Sequence, residues 1–262
     1  MKTIGCIGCG NMGGAIMRGV GELKAYDRLL GLDHTPAKAA ACGAVPVTVS
    51  ELAAQTDVLI VAVKPYAATG ALREFMACVP NGRRPLVISV AAGVSVSALR
   101  EAAGGRAAVV RCMPNTPAAV RMGAFGLCLD DPVLTPEDKA EVRALFDALG
   151  QAVELPEGML PAFSALMGCG PAYIFYVIEA LAEAGVRMGF PRAKSIEMAS
   201  YLCAGSAKLA MSPGAHPALL REAVCSPAGS TIEGIASLDS KAVKSALVEA
   251  VCAAWSKEKT RG

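Results

Sequence analysis

Along the first 155 residues, short apolar runs alternate with longer mixed segments. Thr3–Ile7, Leu29–Leu32, Val58–Val63, Leu86–Val90 and Ala107–Arg111 are compact, and several are rich in Val and Ile, residues that fit a pleated, buried surface. The segments between them have the length and mixed polarity of helices. Strand–helix alternation of this kind predicts an α/β fold, a doubly wound parallel sheet covered on both faces. Ala124–Leu129 adds a strand. Thr135-Pro136-Glu137 then supplies a cap residue, a proline at the first helical position and an early acid, predicting a helix to about Leu149. Gly150 is read as its stop, and Gln151–Leu155 as a last strand.

After Pro156 the pattern changes. The rest reads as helices broken at Gly168–Pro171, Gly189–Pro191, Ser212–Pro217 and Ser226–Gly229, glycine and proline being the strongest local breakers. The chain therefore divides into residues 1–155, an α/β domain, and 156–262, an all-helical domain. Between Pro171 and Met188 the only charges, Glu179, Glu183 and Arg187, fall on one stripe. A helix apolar over most of its circumference must be buried on several sides. So few helices supply too little cover, which predicts a homodimer built through this domain; higher oligomers built from dimers stay open.

Composition refines this picture. The chain is 53% hydrophobic, but 49 residues are Ala, 27 are Gly and aromatics are only 5%, which favours close helix packing and tight turns. Uninterrupted apolar runs such as Val58–Val63 and Ala172–Ile178 fall short of the roughly 18–20 residues of a membrane span, so no membrane is expected. The net charge of +2 is well mixed, without basic runs, so no nucleic acid is expected either. Nothing reads as a leader peptide, and the expected location is cytoplasmic. The ten cysteines are scattered, several inside apolar runs (Cys128, Cys203, Cys252), and read as buried free thiols. Cys6 and Cys9 have C-x-x-C spacing, but they lie across a strand end and a turn; no metal site is expected.

The chemistry begins at the first strand. Gly8-x-Gly10-x-x-Gly13 follows it directly and opens a helix. Gly8 permits a tight turn, Gly10 admits a pyrophosphate to the backbone and Gly13 allows close helix–strand contact, with phosphates meeting free N–H groups at the helix start. This context makes the sheet Rossmann-type and its ligand a dinucleotide, with Asn11 and Met12 at the helix start beside it. Asp33 ends the second strand, where a carboxylate accepts a ribose 2′-OH and favours NADH. His34, Thr35 and Lys38 can still accommodate a 2′-phosphate, so NADPH and NADH both stay open. Val63-Lys64-Pro65 ends another strand at the ligand edge. In Met113-Pro114-Asn115-Thr116-Pro117, two prolines bracket a rigid loop in which a cis bond is admissible, with Asn115 placed to offer its amide to a nicotinamide.

Together these residues resemble the pyrroline-5-carboxylate reductase family. The match rests on the Gly8–Gly13 turn with Asn11-Met12, Ala62-Val63-Lys64-Pro65, Met113-Pro114-Asn115-Thr116-Pro117, Gly168-Cys169-Gly170-Pro171-Ala172-Tyr173 and Cys225-Ser226-Pro227-Ala228-Gly229-Ser230-Thr231-Ile232-Glu233. The resemblance implies an NAD(P)H-dependent oxidoreductase that reduces 1-pyrroline-5-carboxylate to L-proline, the last step of proline biosynthesis, with helices interleaved between two subunits. It also implies that Ser226, Ala228, Gly229, Ser230 and Thr231 receive the substrate, and that Thr231, the catalytic residue, approaches the ring nitrogen.

The scarcity of acids fits that chemistry. A carbonyl reductase needs a positioned proton donor, whereas this chain has two histidines, His34 and His216, and His216 sits in a loop with no evident partner. An imine can arrive protonated, so a hydroxyl orienting its N–H suffices. Two departures from the family pattern stand out: Ala228 where the family has the first Gly of its Ser-Pro-Gly-Gly-x-Thr loop, and Cys169 for a common Ser. If position 228 needs a positive φ, alanine strains the loop by roughly 1 kcal/mol. The alternatives are a related cyclic-imine reductase, a β-hydroxyacid dehydrogenase using Lys194 or Lys208, and a non-catalytic dinucleotide-sensing module.

Overall fold

The computed structural model describes residues 2–260. The first strand, β1 (Thr3–Ile7), is buried at every position, as a strand covered on both faces must be. The chain continues through α1 (Asn11–Leu23), β2 (Arg28–Leu32), α2 (Pro36–Ala41), β3 (Val45–Pro46), α3 (Val49–Gln55) and β4 (Val58–Val61). It then forms α4 (Pro65–Cys78), β5 (Leu86–Ser89), α5 (Val96–Ala102), β6 (Ala108–Pro114), β7 (Gly123–Cys128), α6 (Pro136–Asp147) and β8 (Gly150–Glu154). The strands make one sheet in the order β3-β2-β1-β4-β5-β6-β7-β8. β1 pairs parallel with both β2 and β4, Ile4 facing Leu29 and Val58. The strand order reverses there, which opens a crevice beyond the carboxyl ends of the two inner strands.

The sheet departs from the expected all-parallel form at β7, which runs antiparallel to β6, Arg111 facing Cys128. The link Asn115–Met122, mostly a 3-10 turn over Thr116–Val120, is shorter than the dozen or so residues that a parallel crossover needs. The chain therefore turns straight back. β3 escaped the sequence pattern because it is two residues long with a proline, which confines it to an edge. The Met113–Pro117 loop has no cis bond: every described peptide bond is trans.

Local chemistry sets the helix starts. Thr48 with Glu51 and Thr135 with Asp138 form capping boxes, satisfying N–H groups that a helix start leaves open. Glu137 is in the first turn as expected, Asp138 closes the second box, and α6 ends at Asp147. Gly150, read as the helix stop, is the first residue of β8. Apolar side chains cover both faces of the sheet: Ile4, Ile60, Ile88 and Val110 pack with Met17 and Phe146 on one face. On the other, Leu59, Val61, Val87 and Val109 pack with Leu72 and Phe75.

From Glu157 the chain is helical: a short turn at Glu157–Met159, α7 (Leu160–Phe163), a π-type turn over Ser164–Gly168 and α8 (Gly170–Arg187). The break expected at Gly168–Pro171 narrows to one bend residue, Cys169, between the π-type turn and α8. Pro171 sits in the first turn of α8, where its missing N–H costs no helical bond, and the wide turn absorbs the irregularity. α9 (Arg192–Ala210), α10 (Pro217–Ala223), α11 (Ser230–Ser240) and α12 (Val243–Lys259) follow. The other expected breaks fall between helices; Lys241–Ala242 adds one, with Ala242 at φ 53°.

The chain forms two compact units, one holding the residues through Cys169 with those from Ala254 on, the other Gly170–Ala253. Within the second, α8 and α9 pack at small residues: a Cβ on Gly185 would stand 2.7 Å from Ser195 Oγ. Ala182 and Gly185 are the buried residues of α8, Ser195 and Ala199 those of α9, and α10–α12 bury none. As expected from its apolar circumference and the few helices around it, this helix is not covered within a single chain, with Phe175 62% exposed. Glu157–Arg187 is also long and apolar enough to cross a membrane by length and composition, with mean hydropathy 1.5 over its best window. Counting unbroken apolar runs missed this, because interspersed Gly and Ser barely lower a helix's mean hydropathy. The described cysteines are free thiols. Cys6, Cys9, Cys42, Cys112 and Cys128 are buried, but Cys203 is half-buried and Cys252 exposed, since α9 and α12 lack a covering layer here.

Candidate active site

The glycine turn shows why each of its positions carries no side chain. Gly8 has φ +92°, and a Cβ there would lie 2.8 Å from the Ala62 carbonyl. A Cβ on Gly13 would stand 2.1 Å from Gly8 O and 2.9 Å from Ala62 Cβ, so α1 can approach the sheet only with glycine there. Gly10 differs: a Cβ on it meets nothing within 4 Å. It would project into a crevice of about 1010 Å³ lined by Gly8, Gly10, Asn11 and Met12 from the turn, Asp33 and His34 from the end of β2, and Val63, Lys64 and Pro65 from the end of β4. Gly10 is the cap residue of α1 and has no side chain to close it. The first N–H groups of the helix are thus left for an anion. Volume, glycine cradle and open helix start fit a dinucleotide, whose phosphates the first N–H groups of α1 would hold.

Sequence reasoning singled out the turn and the ends of β2 and β4; the same crevice is also lined by Tyr66, Glu74 and Val90-Ala91-Ala92. The last three follow β5 at the carboxyl edge of the sheet, so the strand-end rule applied to Leu86–Val90 would have found them. Tyr66, 89% exposed, and Glu74, on α4, carry no distinguishing pattern.

Asp33 is bound into the turn. Its Oδ2 accepts the Cys9 N–H at 2.9 Å and its Oδ1 the Thr35 N–H at 2.9 Å, with Lys38 Nζ 3.9 Å from Oδ1. Beneath the turn, the Cys6 thiol donates to Gly8 O at 3.5 Å. A hydrogen bond with Cys9, together with burial, pushes Cys6 well above the usual thiol range, so it is no nucleophile at neutral pH.

Asn115 does not line the crevice. It is buried, its Nδ2 donating to Met167 O at 3.0 Å and its Oδ1 accepting the Ala124 N–H at 2.8 Å. Both ends of the amide are engaged within the protein, joining β7 to the π-type turn, as buried amides require.

The second set of residues lies at the start of α11. Ser226, Ala228 and Gly229 form the turn after α10, and Ser230 and Thr231 open the helix. The Gly229 N–H donates to Ser226 O at 3.0 Å, and a Cβ on Gly229 would stand 2.4 Å from Ser226 Oγ. Ala228 has φ 56°: the position does require the left-handed region, and alanine occupies it at a strain of about 1 kcal/mol. No side chain caps α11, leaving its first N–H groups beside the exposed Ser230 and Thr231. A carboxylate finds there the donors and partial positive charge it needs. His216 is accounted for: its Nδ1 accepts the Ala218 N–H at 3.3 Å and caps α10. Lys194 pairs with Glu197 at 3.0 Å on an exposed face.

Residues 157–261 match the pyrroline-5-carboxylate reductase dimerisation family, and residues 3–93 the family described as NADP oxidoreductase coenzyme F420-dependent. The pyrroline-5-carboxylate reductase of Escherichia coli K12 is 37% identical over 262 residues, covering 95% of this chain and 94% of its own. That of Methanosarcina acetivorans is 36% identical over 272 residues, covering 100% and 98%. The crystal structure of the Plasmodium falciparum pyrroline carboxylate reductase with NADP bound is 28% identical, with a TM-score of 0.86, and covers 100% of this chain and 98% of its own. With similarity running from the glycine turn through the loop at α11, the chain belongs to the pyrroline-5-carboxylate reductase family.

Proposed function

We propose that this chain reduces the cyclic imine 1-pyrroline-5-carboxylate to L-proline, acting as an NAD(P)H-dependent oxidoreductase on the C=N bond in proline biosynthesis. Residues 1–155 hold the dinucleotide; residues 156–262 hold the substrate and the dimer contact. The observation that carries the reading is the occurrence, in one chain, of a glycine-cradled crevice of about 1010 Å³ and an uncapped helix start carrying Ser230 and Thr231.

Bound in the crevice, the reduced nicotinamide dinucleotide supplies the hydride. Gly8, Gly10 and Gly13, with the N–H groups of Asn11 and Met12, hold its phosphates. Asp33, His34, Val63, Lys64 and Pro65 also line the crevice and would contact the cofactor. Asn115 steadies the end of β6 through Ala124 and Met167. At α11, the first N–H groups and the hydroxyls of Ser226 and Ser230 take the substrate carboxylate, with Ala228 and Gly229 shaping the turn. Thr231 Oγ1 accepts the ring N–H and orients the imine. Hydride addition at the imine carbon moves the C=N electron pair onto nitrogen and neutralises its charge, so no side chain needs to deliver a proton. Catalysis is then chiefly positioning.

A second copy of the chain covers the apolar faces of α8–α12, giving a homodimer from which larger assemblies can be built. The dimerisation match spans the same residues, 157–261. Glu179, Glu183 and Arg187 on α8 speak against a bilayer as the cover. Ten free thiols fit the reducing cytoplasm.

The direct test uses a reduced cofactor deuterated at its transferable position. The proposal predicts L-proline labelled at the ring carbon that flanks nitrogen and does not carry the carboxylate, and unlabelled product or none would overturn it. Thr231→Ala should lower kcat at least about tenfold while leaving dinucleotide affinity within about twofold. An unchanged kcat would remove Thr231 from the mechanism.

A further inference from the structure

Three cysteines far apart in the chain meet beneath the glycine turn. Cys6 lies in β1, Cys9 stands between Gly8 and Gly10, and Cys42 ends α2; all three belong to the same buried cluster. Glycines leave room for the sulfurs. A Cβ on Gly13 would stand 3.0 Å from Cys6 Sγ, and one on Gly31 would stand 3.0 Å from Cys9 Sγ and 2.6 Å from Ala39 Cβ. The Cys42 thiol donates to the carbonyl of that same Ala39 at 3.1 Å. A Cβ on Gly14 would lie 3.7 Å from Cys42 Cβ and 3.3 Å from Cys9 O. The Cys9 sulfur is thus within hydrogen-bonding reach of both other thiols.

The three are not equivalent. Cys6 and Cys42 are 0% and 1% exposed and Cys9 4%, so a small solute meets Cys9 first. A hydrogen bond from Cys6 pulls the Cys9 thiol below its usual range, against burial and with help from Cys42, whereas burial pushes Cys42 up. Cys9 also sits just ahead of the uncapped start of α1, and Arg18 Nη1 would lie 3.4 Å from the same Cβ on Gly14. A helix start and a guanidinium both favour a thiolate.

Building on the assignment of the crevice to a nicotinamide dinucleotide, we propose that a hydroperoxide oxidises Cys9 and Cys42 to a disulfide that distorts the glycine turn, so that the oxidation state of this pair sets cofactor affinity. The Cys9 thiolate attacks one oxygen of hydrogen peroxide; the O–O bond breaks, and the leaving hydroxide takes up the Cys9 proton to give water. The Cys42 sulfur then attacks the Cys9 sulfenic sulfur; the S–O bond breaks, and hydroxide leaves with the Cys42 proton as a second water. Two thiols lose two electrons, and the peroxide gains them. A disulfide holds its sulfurs about 2.0 Å apart, closer than hydrogen-bonded thiols approach, so the bond draws Cys9 toward the end of α2. Cys9 has little slack, because its N–H donates to Asp33 Oδ2 at 2.9 Å, and its neighbours Gly8 and Gly10 form the phosphate cradle. Bound dinucleotide, which needs the undistorted turn, in return favours the dithiol.

The test treats the full-length protein with hydrogen peroxide, maps its disulfides by mass spectrometry of peptides prepared without reductant, and measures NADPH and NADH affinity by calorimetry before and after. Wild type should yield a Cys9–Cys42 peptide and lose affinity about tenfold, and dithiothreitol should restore it. Saturating NADPH or NADH during the treatment should slow formation of the bond. Cys42→Ala, reduced, should bind within about twofold of wild type; after peroxide it should form no disulfide at Cys9 and retain a sulfenic acid there that dimedone labels. Mapping and reversal in wild type stand whether or not that variant folds. A Cys6–Cys9 bond in its place, no bond at Cys9, or a Cys9–Cys42 bond that leaves affinity unchanged overturns this inference and leaves the dinucleotide site standing. Failure of the reduced protein to bind either cofactor overturns the dinucleotide site and this inference with it.

Discussion

The sheet-bearing unit and the helical unit Gly170–Ala253 solve the burial problem in opposite ways. In the first, both faces of the sheet are covered by the chain's own helices, and residues such as Leu59, Phe75 and Phe146 are fully enclosed. In the second, burial stops at four small or polar residues on α8 and α9, while Phe175, Tyr176 and Tyr201 stand in the open. One unit is complete as a single chain. The other leaves most of its apolar surface uncovered, and it lies within the stretch that matches a dimerisation family. Alanine-rich helices with glycine at crossing points approach closely enough to interleave, and large apolar side chains on several faces leave no side for solvent.

This contrast can be broken at several points. The largest effect is expected at the glycine turn. Gly13→Ala drives a methyl against Gly8 O and should weaken dinucleotide binding by roughly 100-fold and lower Tm, since rigid backbone cannot yield. Gly10→Ala, facing open space, should leave Tm within about 2 °C yet weaken binding about tenfold. Equal effects on Tm would contradict the division between packing and ligand glycines. In the helical unit, Phe175→Glu should convert dimer to monomer in sedimentation at micromolar concentration, because it buries an unpaired charge in the shared core. Tyr66→Glu, as exposed a site on the sheet unit, should leave the dimer intact. A Phe175→Glu dimer would show that α8 faces something else.

Two smaller effects test local strain and charge. Ala228→Gly should stabilise the protein by about 1 kcal/mol in urea unfolding, since glycine occupies the left-handed region without a Cβ conflict; destabilisation would mean that the loop does not hold a positive φ. At α6, burial raises the Asp138 carboxyl, but hydrogen bonds from Arg84 and the Thr135 N–H outweigh it and hold the group below its ordinary 3.8. A lowered folded value gives stability that is present above pH 3.8 and is lost as pH falls through the folded value. Asp138→Asn should therefore cost about 1 kcal/mol at pH 7 and progressively less below that point. A cost that is constant with pH would remove the charge from the account.

The same contrast explains which features were legible in the sequence. β1 was read at its full extent, Thr3–Ile7, because a strand buried on both faces writes its environment into every position. The antiparallel β7 was read as a strand but not for its direction, which depends on the short link Asn115–Met122 closing a turn. The glycine turn was legible because three conformational demands fall on three residues in fixed order. Asn115 was placed beside the right strand, but its partners Ala124 and Met167 lie in other elements and leave no local signal. The break read over Gly168–Pro171 shrinks to the bend at Cys169, because proline in a first helical turn is no breaker. The helical unit showed its periodicity but not its cover, because no element of the described chain lies over most of its apolar faces.

The most direct test mixes the purified protein with 1-pyrroline-5-carboxylate and reduced nicotinamide cofactor and follows the absorbance of the reduced nicotinamide. The account predicts a loss of absorbance that depends on both the imine and the protein, with L-proline formed in equal amount. A rate no greater with the imine than without it, with NADPH and with NADH, would contradict the account.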